Sequence, residues 1–158
     1  MASIELDRTD VRILKILQKD GGLSSQEVAE RVSLSPCLRR IRRLEEAGVI
    51  RQYVALLDAQ KIGLGLLAYV SVKLEKRGKS PMDDWRAQVQ AWTEVVACYA
   101  MTGEMDYLLR VHVQDLEPFS RFVMGQLLKH PGVIDVKSSF ALERIKDTTA
   151  LPLGQASA

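Results

Sequence analysis

The sequence predicts an α+β protein in two parts, a winged helix-turn-helix followed by a ferredoxin-like βαββαβ sandwich. Three observations carry this. Residues 7–47 show only the 3.6-residue apolar rhythm of helices. From Leu66 onward four segments alternate with a period of two, separated by two helical stretches in the order βαββαβ. Between the parts lies DAQKIGLG, with two glycines and no rhythm of either kind. The expected organisation is therefore a winged helix-turn-helix domain over 1–58, a linker over 59–65, a ferredoxin-like domain over 66–145, and a polar tail over 146–158 that frays at its end.

Composition narrows the classes. A chain of 158 residues holds one ordinary domain or two small ones, and 47% hydrophobic with 27% charged residues is globular. The net charge of +2 excludes a polybasic nucleic-acid binder, so any DNA affinity must come from local clustering. No apolar run approaches a membrane span. The start, MASIELDRTD, lacks the apolar segment of a signal peptide. Cys37 and Cys98, with only His112 and His130, have no metal-ligand spacing, and two unpaired thiols fit a reducing, cytoplasmic setting.

The first helix is expected over 7–19. Asp7 caps it, Asp10 complements its dipole, Ile13, Leu14 and Leu17 face inward, and Asp20-Gly21-Gly22 stops it. The second starts at Ser24 or Ser25, where Ser24 and Glu27 form a capping-box pattern, and buries Val28, Ala29 and Val32. Ser33-Leu34-Ser35 is the turn, with Leu34 plugging the space between helices. The third runs from Ser35 or Pro36 to Ala47, with Pro36 as its first residue and Gly48 as its C-terminal cap. Val49–Leu57 reads as a strand or wing.

In the second part, Leu66–Leu74 is a strand with Ala68, Val70, Val72 and Leu74 on one face. A loop at 77–81 leads to a helix over 82–92 that points Trp85, Val89 and Trp92 inward. Strands at Glu94–Thr102 and Tyr107–Gln114 are joined as a hairpin by Gly103-Glu104-Met105-Asp106. The helix Leu116–Lys129 turns Leu116, Phe119, Val123 and Leu127 inward and ends at His130-Pro131-Gly132. The last strand, Val133–Leu142, sets Ile134, Val136, Phe140 and Leu142 on one side. The helices cover one sheet face. Tyr69, Val95, Ala97, Tyr99 and Met101 alternate toward the other, which predicts self-association through it or cover by the linker strand.

The third helix carries Arg39, Arg40, Arg42 and Arg43. At 100° per residue, Cys37, Leu38, Ile41 and Leu44 form its apolar side, and Arg39 and Arg43 point the opposite way. Behind a shorter helix, this is how a helix-turn-helix meets DNA; the bland alternative is a solvated charged face. Arg39 and Arg43 are the expected groove-facing pair. Arg40 and Arg42 are assigned to phosphates or to pairing with Glu45 and Glu46. Ser24, Ser25 and Gln26 could offer phosphate hydrogen bonds at a helix N-terminus, with Ser35 in the turn and Arg51 beside Gln52 as further backbone contacts.

The run LDRTDVRILKILQKDGGLSSQEVAERVSLSP, the segment CLRRIRRLEEAGVI, the hairpin MTGEMDYLLRV and the HPGV break together resemble the Lrp/AsnC feast/famine transcriptional regulators over about residues 4–145. The resemblance implies DNA-binding regulators that form dimers and often octamers, with amino-acid-like effectors bound in the second domain between dimers. In the family's G-x-x-D loop, Gly103 and Asp106 are the matching positions. Loop N–H groups near Gly103 would receive the effector carboxylate and Asp106 its ammonium, with Thr102 and Ser138 as added polar groups. Relatives often carry a small hydroxyl residue where this chain has Val136, which hints at a more apolar effector.

One departure stands out. Relatives commonly read S-P-x-P-C-L where this chain reads Ser35-Pro36-Cys37-Leu38. Two helical residues are about 3 Å and roughly 200° of turn, at the end whose residues reach base edges. Either base readout is altered or lost, or the helix slides to compensate, or the pair is missing from the sequence itself. Two functions follow: an amino-acid-responsive transcriptional regulator, or a sensing oligomer whose specific DNA binding is altered or lost. An enzyme is disfavoured, since no acid–base, nucleophile, nucleotide-binding or metal constellation is present, and no cofactor is expected.

Overall fold

The computed structural model describes residues 4–33, 36–75 and 81–156. Three helices, α1 (Arg8–Leu17), α2 (Ser25–Val32) and α3 (Cys37–Glu46), precede β1 (Leu66–Leu74), α4 (Pro81–Ala91), β2 (Val95–Ala100), β3 (Tyr107–Val113), α5 (Leu116–Phe122) and β4 (Val133–Phe140). Contacts divide the chain into Met1–Leu56 with Lys146–Ala158, and Leu57–Ile145.

In the first unit, Ile13, Leu14, Val28, Val32, Cys37, Ile41 and Leu44 form the core. Both first helices begin with reciprocal capping boxes, Asp7 with Asp10 and Ser24 with Glu27. α3 does not: Pro36 occupies its N-cap position, without a side-chain cap, so Pro36 is not the first helical residue as expected. The expected plug Leu34 and the turn residue Ser35 lie outside the described residues. Gly48, at φ 70°, ends α3 as predicted, because an L side chain is strained there. Val49 and Ile50 then both donate to Leu44 O. The strand expected over Val49–Leu57 does not form among the described residues. Residues 51–58 lack regular structure and are exposed, including Val54, Leu56 and Leu57.

Within the tail, two leucines dock on the helical unit. Gln18 and Leu151 exchange two hydrogen bonds, Nε2 to Leu151 O at 3.2 Å and Leu151 N to Oε1 at 2.6 Å. Leu153 packs on the helical core. The segment after Gln60 is likewise ordered, turned around Asp58, whose Oδ1 accepts from the N–H groups of Gln60 and Lys61.

The second unit is a four-stranded antiparallel sheet in the order β2-β3-β1-β4, the ferredoxin-like arrangement. Its helix-covered face buries Ala68, Val70, Val72, Leu109 and Val111 against Trp85, Trp92, Phe119, Phe122 and Leu127. Two register shifts move side chains from their expected places. A register shift between Val95 and Ala97 leaves Val95 opposite Val111, packed on the core rather than on the open face, and exposes Val96. A second shift at Lys73/Leu74 puts Val133, not Ile134, on the core side. After α5 the chain widens into a π-helical turn, Val123–Leu127; Phe119, Val123 and Leu127 face the core as expected, Phe122 joins them, and Leu116, in the first turn of α5, is exposed. Leu142 lies beyond β4 and is fully exposed.

Shortening the chain to end at Ile145 is expected to lower the thermal midpoint of the helical unit, with Gln18→Ala giving part of that loss. An unchanged midpoint by circular dichroism would show that the tail contributes nothing to the unit.

Candidate DNA interface and effector loop

α3 owes its orientation to α1. Asp10, on the inward side of α1 beside Val11, Ile13 and Leu14, is fully buried at 0% exposure. Its carboxylate is the N3 member of the capping box, accepting from Asp7 N at 3.1 Å, while Asp7 Oδ1 accepts from Asp10 N at 2.8 Å. The same carboxylate receives two arginines of α3. Arg40 Nη1 donates to Asp10 Oδ1 at 2.9 Å and to Asp7 Oδ2 at 2.6 Å, and Arg43 Nη2 donates to Asp10 Oδ2. The Asp10 N–H, and then Arg40, hold the Asp7 carboxyl below its usual value of 3.8, and Asp7 in turn raises the Arg40 guanidinium.

This revises the arginine roles. Arg43, expected in the groove-facing pair, is tied to Asp10, although half its side chain stays exposed. Arg40 pairs with α1 and not with Glu45 or Glu46. Glu45 instead accepts from Tyr53 at 2.9 Å, and burial together with that bond pushes the Tyr53 phenol up to about 12. Arg39 and Arg42 are exposed and form no ion pair with any described carboxylate. Leu38, expected on the apolar side, is 47% exposed, one turn before Arg42. The outward strip of α3 is thus Leu38, Arg39, Arg42 and Glu46, and the four arginines with Asp7 and Glu46 line a concavity of about 470 Å³.

At the start of α2, Ser24 is not a free hydroxyl. It donates to Glu27 Oε2 at 2.7 Å and accepts from Glu27 N at 3.3 Å, which holds the Glu27 carboxyl below its usual range. A carboxylate therefore already sits on that helix N-terminus, leaving half-buried Ser25 and exposed Gln26 to meet a phosphate. Arg51 is exposed; Ser35 lies outside the described residues.

In the sheet unit, Gly103 takes φ 113°, the left-handed region that the tight β2–β3 connection needs, with open space where a Cβ would be. Asp106 is strongly held. Its N–H donates to Val72 O at 2.9 Å, its carbonyl accepts from Met101 N at 2.8 Å, and its Oδ2 accepts from Leu74 N at 2.9 Å. That last bond satisfies the N–H left by the irregular end of β1, and Oδ1 has no described partner. Glu104, which sequence reasoning passed over, pairs with Lys137 of β4 at 2.8 Å, lowering the Glu104 carboxyl and raising the Lys137 ammonium. The signal was available, since the alternation of β4 sets Lys137 opposite Ser71 on the open face.

Thr102, Gly103 and Asp106 therefore share one loop. Val136 does not join them. It pairs with Val72 and packs on the helix-side core, across β1 from Asp106. Ser138, opposite Val70, is exposed on that same side. The open face carries Tyr69, Ala97 and Tyr99 as expected, with Leu108, Arg110 and His112 between them. Neither thiol is activated, since burial pushes both Cys37 and Cys98 up.

Comparison with known proteins follows these two units. Residues 67–151 match the profile described as the Lrp/AsnC ligand binding domain, and residues 6–51 the winged helix-turn-helix DNA-binding profile. The DNA-binding transcriptional activator DecR of Escherichia coli K12 is 43% identical over 150 residues, 94% of this chain and 99% of that protein. The leucine-responsive regulatory protein of Salmonella typhimurium is 38% identical over 149 residues, 93% and 91% of the two chains. A crystal structure of a Neisseria meningitidis transcriptional regulator in complex with L-Met superposes with a TM-score of 0.92 at 49% identity, covering 95% of this chain and 98% of that one.

Asp7 supplies a pH test. Its folded value lies below 3.8, so its contribution to stability is complete above that pH and is lost as the pH falls through the depressed value. Asp7→Asn should flatten the acid limb of stability measured by urea unfolding between neutral pH and pH about 2; identical acid limbs would contradict the Asp7–Arg40 pairing.

Proposed function

The chain belongs to the Lrp/AsnC family of DNA-binding transcriptional regulators, and from that premise we propose how its residues divide the work. α3 lies in the major groove of duplex DNA. Arg39 and Arg42 reach base edges or phosphates, and Leu38 offers an apolar contact to a thymine methyl group. Ser25, Gln26 and Arg51 contact the sugar–phosphate backbone on either side, while Arg40 and Arg43 stay on the acids of α1. The observation that carries this is the pair of exposed guanidiniums on α3 with no described carboxylate to neutralise them.

The effector is a small apolar amino acid, of which methionine is the first candidate, since the Neisseria relative was solved with L-Met. Its ammonium meets Asp106 Oδ1 and its carboxylate the N–H groups around Gly103, with Thr102 beside them and Ser138 at the rim. Val136 contributes no ligand contact because it faces the core. Two copies associate through the open sheet face around Tyr69 and Tyr99, placing two α3 helices on one side of the DNA, and dimers assemble further around the loop. Effector binding then shifts assembly and hence operator affinity. The protein works in the cytoplasm, where its DNA is, and catalyses no reaction.

A second reading, a sensor with weakened sequence preference, is favoured by one observation: α3 opens at Cys37 without a side-chain cap, at the end that normally reads bases. A duplex selected from a random pool separates the two. For a sequence-reading regulator, Arg39→Ala and Arg42→Ala each reduce affinity at least about tenfold (about 1.4 kcal/mol) and flatten the log–log salt slope by about 0.9. A pool that yields no preferred sequence favours the second reading. For the effector, calorimetry with L-methionine should give heat with the native chain and none with Asp106→Asn. That variant keeps an acceptor for Leu74 N–H but loses the charge; equal heats would remove Asp106 from the site.

A further inference from the structure

Four arginines crowd five positions of α3, yet two of them are neutralised from within. Arg40 and Arg43 point at the N-terminus of α1, where Asp10 is buried at 0% exposure between them and Asp7 takes a second bond from Arg40. The geometry is that of a phosphate contact, with a two-oxygen acid receiving one N–H from each guanidinium. Neither acid can swing away freely, because each is fixed by the other's backbone N–H in the capping box. Both arginines keep part of their side chains in solvent, 32% for Arg40 and 47% for Arg43, so both remain within reach of a second anion.

We propose that Asp10, supported by Asp7, is a specificity-determining residue: an internal stand-in for phosphate that withholds Arg40 and Arg43 from the DNA backbone. Phosphate contacts raise affinity for every sequence alike, and base contacts separate one sequence from another. A helix with four free arginines would bind any duplex strongly and discriminate poorly. With two of them held by α1, the non-specific term shrinks while Arg39 and Arg42 stay available. The acids also fix the rotation of α3, which has no N-terminal side-chain cap of its own. Asp10 is thus a positioning residue that never touches DNA.

This rests on the DNA-binding reading above, and the test keeps the two apart. The full-length chain is titrated by fluorescence anisotropy with the duplex selected from a random pool and with a scrambled duplex of equal length and composition, across a salt series. Asp10→Asn should bind the scrambled duplex more tightly than the native chain. Its salt slope should steepen by up to about 1.8 per protomer, two released phosphate contacts at about 0.9 each. The preference for the selected duplex should fall severalfold. An unchanged or shallower slope, or equal weakening on both duplexes, overturns the proposal, because a purely structural loss adds no phosphate contact. Should Asp10→Asn fail to fold, Arg40→Gln and Arg43→Gln decide: each should leave the salt slope unchanged, because neither guanidinium makes a phosphate contact in the native chain, and a slope flattened by about 0.9 for either one overturns the proposal. If Arg39→Ala and Arg42→Ala leave binding untouched, the DNA face itself is misassigned and the proposal falls with it. If those two flatten the slope and Asp10→Asn does not steepen it, only the proposal falls.

Discussion

The Asp10 carboxylate holds the helical unit in its working shape. Removing a carboxylate from water costs several kcal/mol unless charge and hydrogen bonds replace the lost hydration. Here the replacements are Asp7 N–H, Arg40 and Arg43. They come from two constraints: the first from the capping box of α1, the other two from the face of α3 that its apolar side turns toward α1. The core residues Ile13, Leu14, Ile41 and Leu44 bring the helices together. Packing of that kind has no direction of its own, whereas ion pairs to a fixed acid do. They set which arginines look outward, and so connect the burial of α1 to the chemistry of α3.

The same device recurs in the sheet unit. Asp106 has the charge that an effector ammonium would seek, but one oxygen already satisfies Leu74 N–H. That commitment fixes the carboxylate in place and leaves the other oxygen, a preorganised acceptor. Glu104 and Lys137 tie the loop to β4, so the loop connects with all four strands: it joins β2 to β3, bonds to β1 through Val72 and Leu74, and pairs with β4. An effector that displaced Lys137 from Glu104 would be felt across the sheet.

Much of this was legible in the sequence. Period-two alternation gave the core face of β1 residue for residue, the S-x-x-E pattern gave the start of α2, and the tryptophans at i and i+7 gave the inward face of α4. Where the reading failed, the causes are specific. Alternation assumes an unbroken ladder, and the register shifts at Val95/Ala97 and Lys73/Leu74 reversed Val95 and Ile134. The wheel for α5 holds for Phe119, Val123 and Leu127, but it missed Phe122, three residues from Phe119, and it failed for Leu116, which sits in the exposed first turn. The wheel also gives the direction of Arg43 but not its partner. Asp10 is 33 residues away in sequence, and only tertiary structure brings the two together. The tail was read only as polar and frayed at its end, and its composition did not reveal that Gln18 matches the backbone of Leu151 or that Leu153 reaches the core.

Division of labour among the four neighbouring arginines can be observed residue by residue. Guanidinium NMR signals, assigned by single Arg→Lys substitutions, can be recorded for the free protein and for its complex with a selected duplex. Arg39 and Arg42 should shift and slow their hydrogen exchange on binding, while Arg40 and Arg43 should already be protected in the free protein and change little. If Arg40 and Arg43 are unprotected before binding, or move as far as Arg39 and Arg42 when DNA is added, Asp10 does not hold them.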